Sequence, residues 1–117
     1  MKNIRSVNDL IGEQVNAVCF VMDYVELRFN GPILRALTDI VVERGRERHV
    51  FPEPGSRDAL CEVIEARLES IDVVEDRAMT LRFDRGQTVI IPLAVDDMTG
   101  PEAAHFVPGE NKPIFVW

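Results

Sequence analysis

An internal repeat constrains the fold of this chain more than any other feature of its sequence. Residues 11–18 and 25–31 return, with similar apolar and turn residues, as residues 64–71 and 79–86. The offset is 53 residues between Val15 and Leu68 and 54 residues between Phe29 and Phe83, so the second copy has gained a single residue. A repeat at a nearly constant offset is typical of two structurally equivalent units within one chain.

Three strands are predicted in each copy of the repeat. Apolar residues alternate with polar ones at Val25, Leu27 and Phe29, and again at Met79, Leu81 and Phe83. This period of two is typical of a strand with one buried and one solvated face. Further strands are expected at residues 15–22 and 33–42 in the first copy and at residues 68–74 and 88–93 in the second. For residues 33–42, a break near Thr38 and Asp39 is the alternative to one continuous strand. The short connections between them favour antiparallel pairing.

A short helix is predicted before the strands of each copy. In the second copy, four apolar residues follow helical spacing behind Ser56, a suitable N-cap. They are Leu60, Val63, Ile64 and Leu68. The first copy has a shorter stripe between Ser6 and Gly12. These elements predict an α+β fold of two pseudo-symmetric αβββ repeats, at about residues 6–43 and 56–95, with mainly antiparallel sheet and two short helices. The 117 residues are expected to form one domain, residues 1–117, with a shared core.

Two segments lie outside the repeated pattern. Residues 43–48 alternate acidic and basic side chains around Gly45 and are predicted to form a solvated hairpin end. The C-terminal segment, residues 96–117, begins as a loop and ends in the apolar residues 113–117. Because such an end would otherwise expose two aromatic rings to water, we expect it to add an edge strand to a sheet or to cover the core.

The composition indicates a small globular protein with an acidic surface. Twenty acidic and thirteen basic residues give a net charge of −7, which disfavours nucleic-acid binding and favours a basic protein partner, although solubility alone also explains it. The longest apolar run, residues 17–22, is far too short to cross a membrane, and no secretory signal is expected. Cys19 and Cys61 suggest neither a disulfide framework nor a zinc site, so a cytoplasmic, bacterial-type protein is expected.

Few residues could carry catalysis or bind a metal. Glu102 and His105 have the (i, i+3) spacing that places a carboxylate and an imidazole on one helical face, as in some metal sites. The same segment, Thr99 to Glu102, also fits a capping box at the start of a brief helix. Asp96 and Asp97 could bind a cation weakly. With no second histidine–carboxylate pair, no nucleophile motif and no phosphate-binding loop, we expect no enzyme, no metal and no cofactor.

Arg28 and Arg82 are polar residues that occur in both copies although packing in the core does not require them. Both occupy the outward side of the same predicted strand in their copies. In one interpretation they form a symmetric binding pair for an acidic ligand or partner. In the other, each arginine packs over its sheet and pairs with a nearby acid such as Glu26 or Asp84. The candidate binding residues of the whole chain are Arg28, Arg82, Asp96, Asp97, Glu102, His105 and Trp117.

A pattern of turn glycines and alternating core residues carries a family resemblance over about residues 10–95. Its residues are Ile11, Gly12 and Val15, then Leu27, Phe29 and Gly31, echoed by Leu81, Arg82, Phe83 and Gly86. The pattern resembles small uncharacterised bacterial proteins with a duplicated helix-and-meander organisation. Members of this kind look like immunity-type proteins of bacterial toxin systems. The resemblance implies a small acidic protein that neutralises a basic toxin domain, and it supplies no catalytic residue.

Three hypotheses about function follow from the sequence. The first is a non-catalytic protein-binding module, which includes the immunity-type role. The second is a small-molecule binder or enzyme that uses a groove near Asp97, Glu102 and His105. The third is a homodimer in which the C-terminal strand pairs across a twofold axis. No nucleic acid or membrane is expected as a partner in any of them.

Overall fold

The computed structural model describes residues 4–117 and contains two five-stranded antiparallel sheets. Sheet 1 has the order β1 (Val15–Val21), β2 (Tyr24–Phe29), β3 (Ile33–Ala36), β9 (Ala104–Val107) and β10 (Phe115–Val116). Sheet 2 has the order β5 (Glu47–Val50), β4 (Val41–Arg44), β8 (Gln87–Pro92), β7 (Ala78–Phe83) and β6 (Leu68–Val74). One helix, α1 (Ser56–Cys61), and two 3₁₀ turns (Val7–Leu10 and Val95–Asp97) complete the described elements.

The prediction of an α+β fold is wrong, because the chain is 46% strand and only 11% helical. The protein is a small β-rich fold. The first predicted helix is a single 3₁₀ turn, and it ends before Gly12, whose φ of +91° a right-handed helix cannot contain. The second helix stops at Cys61, and Glu65 has a φ of +80°, so Leu68 lies in β6 rather than on a helical stripe. Gly55, not Ser56, is the N-cap of α1.

The repeat unit is longer than the predicted αβββ, and its last two strands are exchanged between the sheets. Strands β1, β2 and β3 correspond to β6, β7 and β8, each set forming a meander. The β4–β5 hairpin follows the first copy but pairs with β8 of the second. The β9–β10 hairpin follows the second copy but pairs with β3 of the first. Residues 33–42 therefore form two strands, with the break in the region of Thr38 and Asp39 that was the alternative to a continuous strand, and the two strands belong to different sheets.

A pseudo-twofold axis passes between the starts of β1 and β6. Gln14 and Arg67, which are equivalent in the two copies, form an isolated antiparallel bridge with each other. The Gln14 side chain donates from Nε2 to the carbonyl oxygen of Glu65 (2.7 Å), and Arg67 donates from Nη1 to the carbonyl oxygen of Gly12 (3.2 Å). Gly12 and Glu65 are themselves equivalent, so the contacts on one side of the axis repeat on the other.

Both sheets contribute their inner faces to one hydrophobic core. Leu27 and Phe29 of sheet 1 and Leu81 and Phe83 of sheet 2 are buried in it, and Leu60 of α1 closes one side. The alternation of the strands leaves the opposite face of each sheet facing outward. The surfaces available for binding are therefore the outer faces of the two sheets and the loops at their ends. Within residues 4–117, no helix is long and apolar enough to cross a membrane.

Candidate functional site

A row of side chains crosses the outer face of sheet 1 at one level. The strand register places Cys19, Glu26, Arg35, His105 and Val116 opposite one another, one on each of the five strands. Directly opposed residues have Cβ atoms about 4.5–5.5 Å apart, so their side chains are in reach of one another. We call these five residues the sheet 1 row.

Hydrogen bonds join three residues of the row to two neighbours in a continuous chain. The Glu26 carboxylate accepts from Arg28 Nη2 (2.7 Å) through one oxygen and from Arg35 Nε (2.8 Å) through the other. Arg35 Nη1 lies 3.0 Å from His105 Nδ1. His105 Nε2 lies 2.9 Å from Glu102 Oε1. The chain thus runs from the middle of β2 to the loop that precedes β9.

Glu26 is the buried centre of this chain. Its side chain is only 6% exposed, while those of Arg28 and Arg35 are 46% and 26% exposed. Burial alone raises the pKa of the Glu26 carboxyl, but the hydrogen bonds and charges of Arg28 and Arg35 outweigh it, and the pKa lies below its ordinary value. The hydrogen bond to Glu26 in turn raises the pKa of Arg28. Glu26 is therefore an anion at neutral pH, held between two cations.

The hydrogen bonds determine the tautomer of His105. A guanidinium group can only donate, so Nδ1 of His105 accepts from Arg35. The proton of the neutral ring then lies on Nε2, which donates to Glu102. Both ring nitrogens are engaged, and neither offers a free lone pair to a substrate. His105 acts in this arrangement as a bridge that orients Glu102.

Sheet 2 provides an internal comparison for this row. The register places Asp72, Thr80, Ile90, Val41 and Val50 at the equivalent positions of its five strands, which we call the sheet 2 row. The positions of Glu26, Arg35 and His105 are thus taken by threonine, isoleucine and valine. Because the same scaffold accepts these residues in its other half, we expect that folding does not require the charged network of sheet 1.

A pocket of about 140 Å³ lies at the end of sheet 1 next to the network. It is formed by the β1–β2 turn, the end of β3 and the loop before β9. Its lining residues are Asp23, Tyr24, Leu37, Thr99, Gly100, Pro101 and Glu102. Glu102 belongs to both the pocket and the network, so we call this cavity the Glu102 pocket. The Arg35 guanidinium also lies 5.9 Å from the centre of the Tyr24 ring.

Arg28 and Arg82 lie on the outer faces of different sheets. Arg28 is part of the network around Glu26. Arg82 donates from Nη1 to Asp72 (3.0 Å) rather than to Asp84, and both of these side chains are more than half exposed. An exposed pair of this kind contributes little to stability. The interpretation as a symmetric binding pair receives no support from this geometry.

Glu102 and His105 meet, but not on a helix. The brief helix predicted to start at the capping box of Thr99 to Glu102 is not formed, because Glu102 lies in a loop and His105 lies in β9, which pairs with β3. Pairing with β3 provides hydrogen-bond partners for the backbone N–H and C=O groups of β9. A single isolated helical turn would be only marginally stable. The two side chains nevertheless lie 2.9 Å apart.

The remaining predicted residues are not members of the network. Asp96 and Asp97 are exposed in the second 3₁₀ turn, and neither lines the Glu102 pocket. Trp117 is partly buried against the core, and its backbone hydrogen-bonds to that of Ala104 at the start of β9. Pairing of β10 with a second copy of the chain stays a prediction.

Arg35 and Tyr24 are site residues that the sequence interpretation did not include, and Glu26 appeared only as a partner for Arg28. The signal that could have found them is a departure from the repeat. Glu26 stands where the second copy has Thr80, and Arg35 stands where it has Ile90. Charged residues that appear in one copy alone are better candidates for function than residues that both copies share.

Comparisons of the chain with protein-family models, with curated protein sequences and with solved structures found no match. The fold and its charged row are therefore the basis for any functional conclusion. The resemblance to immunity-type proteins stays a prediction.

Proposed function

We propose that the protein is a non-catalytic protein-binding module that recognises its partner with the outer face of sheet 1. The observation that carries this proposal is the contrast between the two rows. A hydrogen-bonded network of five ionisable residues occupies sheet 1, whereas uncharged residues fill the positions of Glu26, Arg35 and His105 in sheet 2. A feature that folding does not require, and that orders several charges on an open face, is typical of a recognition surface.

A binding role suits the geometry of the network better than a catalytic one. Both nitrogens of His105 are already engaged, so the ring is not poised to take a proton from a substrate. Glu26 is buried beneath its two arginines and is not open to a reacting group. What the network offers is rigidity, because charged side chains that are already ordered lose less conformational entropy when a partner binds.

The partner proposed for this face is a protein with a basic contact surface. The chain has a net charge of −7, which would steer a basic protein toward it. The specific form of the proposal is an immunity-type protein whose partner is a basic toxin domain. Such an association should become slower as salt is added, because screening weakens long-range steering.

Exchange of the sheet 1 row for sheet 2 residues tests the proposal. In the row variant, Glu26→Thr, Arg35→Ile and His105→Val are combined. We expect the wild-type chain, used as bait in an extract of its source organism, to retain a partner that the row variant retains at least tenfold less. With that partner purified, the dissociation constant should rise at least tenfold, or about 1.4 kcal/mol.

A matched control carries Thr80→Ala and Ile90→Thr on the outer face of sheet 2. This control should bind the partner as the wild-type chain does. Equal binding by the wild-type chain and the row variant, or failure to retain any protein with intact bait, would count against the proposal.

One observation favours the second candidate function, a small-molecule binder or enzyme at this end of sheet 1. The Glu102 carboxylate both lines a pocket and contacts His105. Asp97, the third residue of that hypothesis, does not line the pocket. A small ligand that binds the wild-type chain tightly in the absence of any protein partner would support this candidate.

A further inference from the structure

We infer that the Glu102 pocket binds the guanidinium group of one arginine side chain of the partner protein. This inference rests on the function proposed above and adds the chemistry of the contact. The pocket lies at the end of the sheet 1 face, so a partner that covers the face can place one side chain in it.

The lining of the pocket matches a basic side chain. Asp23 and Glu102 supply carboxylates, Tyr24 supplies an aromatic ring, and Thr99 supplies a hydroxyl. Carboxylates and aromatic rings both attract a cation, and the apolar wall at Leu37 suits the alkyl stem of the side chain. None of the seven lining residues is basic. The cavity of about 140 Å³ holds roughly four or five water-sized groups, which is comparable to a guanidinium group and its adjoining methylene.

The network prepares Glu102 for this role. His105 Nε2 engages Oε1 of Glu102 at 2.9 Å, which leaves the other carboxylate oxygen for a ligand. His105 is itself held by Arg35, and Arg35 by Glu26. Glu26, which also pairs with Arg28, offsets part of the charge of Arg35 and so reduces its repulsion of a second cation nearby. The pocket therefore presents a carboxylate that is oriented before the ligand arrives.

The pseudo-twofold axis allows the pocket residues to be compared with the residues at equivalent positions in sheet 2. The positions of Asp23 and Tyr24 correspond to Arg77 and Ala78 in the second copy, at the offset of 54 residues found for Phe29 and Phe83. Glu102 lies three residues before His105 of β9, and Thr38 lies three residues before Val41, the equivalent residue of β4. Thr38 is therefore the equivalent of Glu102, and its hydroxyl donates to the carbonyl oxygen of Pro92 (2.6 Å). Sheet 2 thus has neither acid and no aromatic ring at these positions, so we expect that folding does not require them.

Arginine fits this lining better than lysine does. Its planar guanidinium can donate to two carboxylates at once and can stack on the Tyr24 ring, whereas an ammonium group is a compact point charge. A single contact of this kind is weak when isolated, so a dissociation constant on the order of 1 mM is expected for a capped arginine.

Titration with N-acetyl-arginine methylamide, followed by amide NMR shifts of the full chain, tests the inference. We expect saturable shifts confined to the amides of residues 23–24, 37, 99–100 and 102. The isosteric but uncharged N-acetyl-citrulline methylamide should bind at least tenfold more weakly. Asp23→Asn and Glu102→Gln should each weaken binding at least fivefold, while Asp39→Asn, an exposed acid outside the pocket lining, should leave it unchanged.

The outcomes separate this inference from the proposed function, since the titration needs no protein partner. Absence of saturable shifts, or equal binding of the citrulline compound, would overturn the inference even if a partner is captured through the sheet 1 row. Free L-arginine that binds at least tenfold more tightly than the capped compound would also overturn it, because the pocket would then recognise a free amino acid. Asp23 makes no contact within the network, so Asp23→Asn keeps the test valid if Glu102→Gln perturbs His105.

Discussion

Replacing Glu26 by alanine is expected to lower the free energy of unfolding by about 3 kcal/mol. The substitution removes the acceptor of Arg28 and Arg35 together. Arg35, whose side chain is only 26% exposed, is then left as a partly buried cation without its carboxylate. The loss is measured by urea unfolding at neutral pH, with the midpoint and the slope fitted separately.

Thr80→Ala is the matched control, because Thr80 has the same position in sheet 2. It should change the free energy of unfolding by less than about 0.5 kcal/mol. An effect of Glu26→Ala no larger than that of Thr80→Ala would contradict the assigned role of Glu26 as the centre of the network.

The contribution of Glu26 should also depend on pH in a defined direction. The folded-state pKa of Glu26 lies below its ordinary value of 4.5, so its stabilising effect is complete above that value. The effect is lost as the pH falls through the lowered pKa. The difference in stability between the wild-type chain and Glu26→Ala should therefore be largest near neutral pH and should shrink in acid.

Truncation of the equivalent core leucines is the second large effect. Leu27→Ala and Leu81→Ala should each lower the free energy of unfolding by about 3 kcal/mol, within the usual 2–5 kcal/mol for a buried leucine. Both side chains are fully buried, on the inner faces of sheets 1 and 2, and belong to one core.

Because the hairpins are exchanged between the sheets, neither half can unfold without removing strands from the other. Each leucine variant should therefore unfold in a single transition, which circular dichroism and calorimetry can follow. Two separate transitions, or a loss below about 1 kcal/mol for one of the two leucines, would show that the halves do not share one core. That the chain is a single domain stays a prediction until this is measured.

The strands could be predicted from local pattern, but their assembly could not. The alternation at Val25, Leu27 and Phe29 indicates β2 directly, because a strand exposes alternate side chains to the core. The exchange of hairpins leaves a weaker signal. The chain passes from one sheet to the other within residues 37–40, where Thr38 and Asp39 indicate a break in a strand but not a change of sheet. The predicted length of the second helix was too great. Val63 and Leu68 have helical spacing and are buried, but they are buried by tertiary packing outside a helix, which spacing alone cannot distinguish.

The site could be predicted only in part for a similar reason. Glu102 and His105 are close in sequence, and their pairing was accessible from spacing even though the helix was wrong. Arg35 lies within an apolar segment, and its partners Glu26 and His105 are 9 and 70 residues away along the chain. Such contacts depend on strand register, which a local pattern does not reveal.

The central claim is that folding does not require the charged row of sheet 1, and the free energy of unfolding of the row variant tests it most directly. Glu26→Thr, Arg35→Ile and His105→Val together replace the three network residues that belong to the row with the residues that sheet 2 carries at the same positions. Replacing a whole buried polar network by apolar residues is often neutral, whereas removing one member is not. We predict a stability within about 1 kcal/mol of the wild-type chain, in contrast to the loss of about 3 kcal/mol for Glu26→Ala. A row variant as unstable as Glu26→Ala would contradict the claim and would make the network part of the folding scaffold.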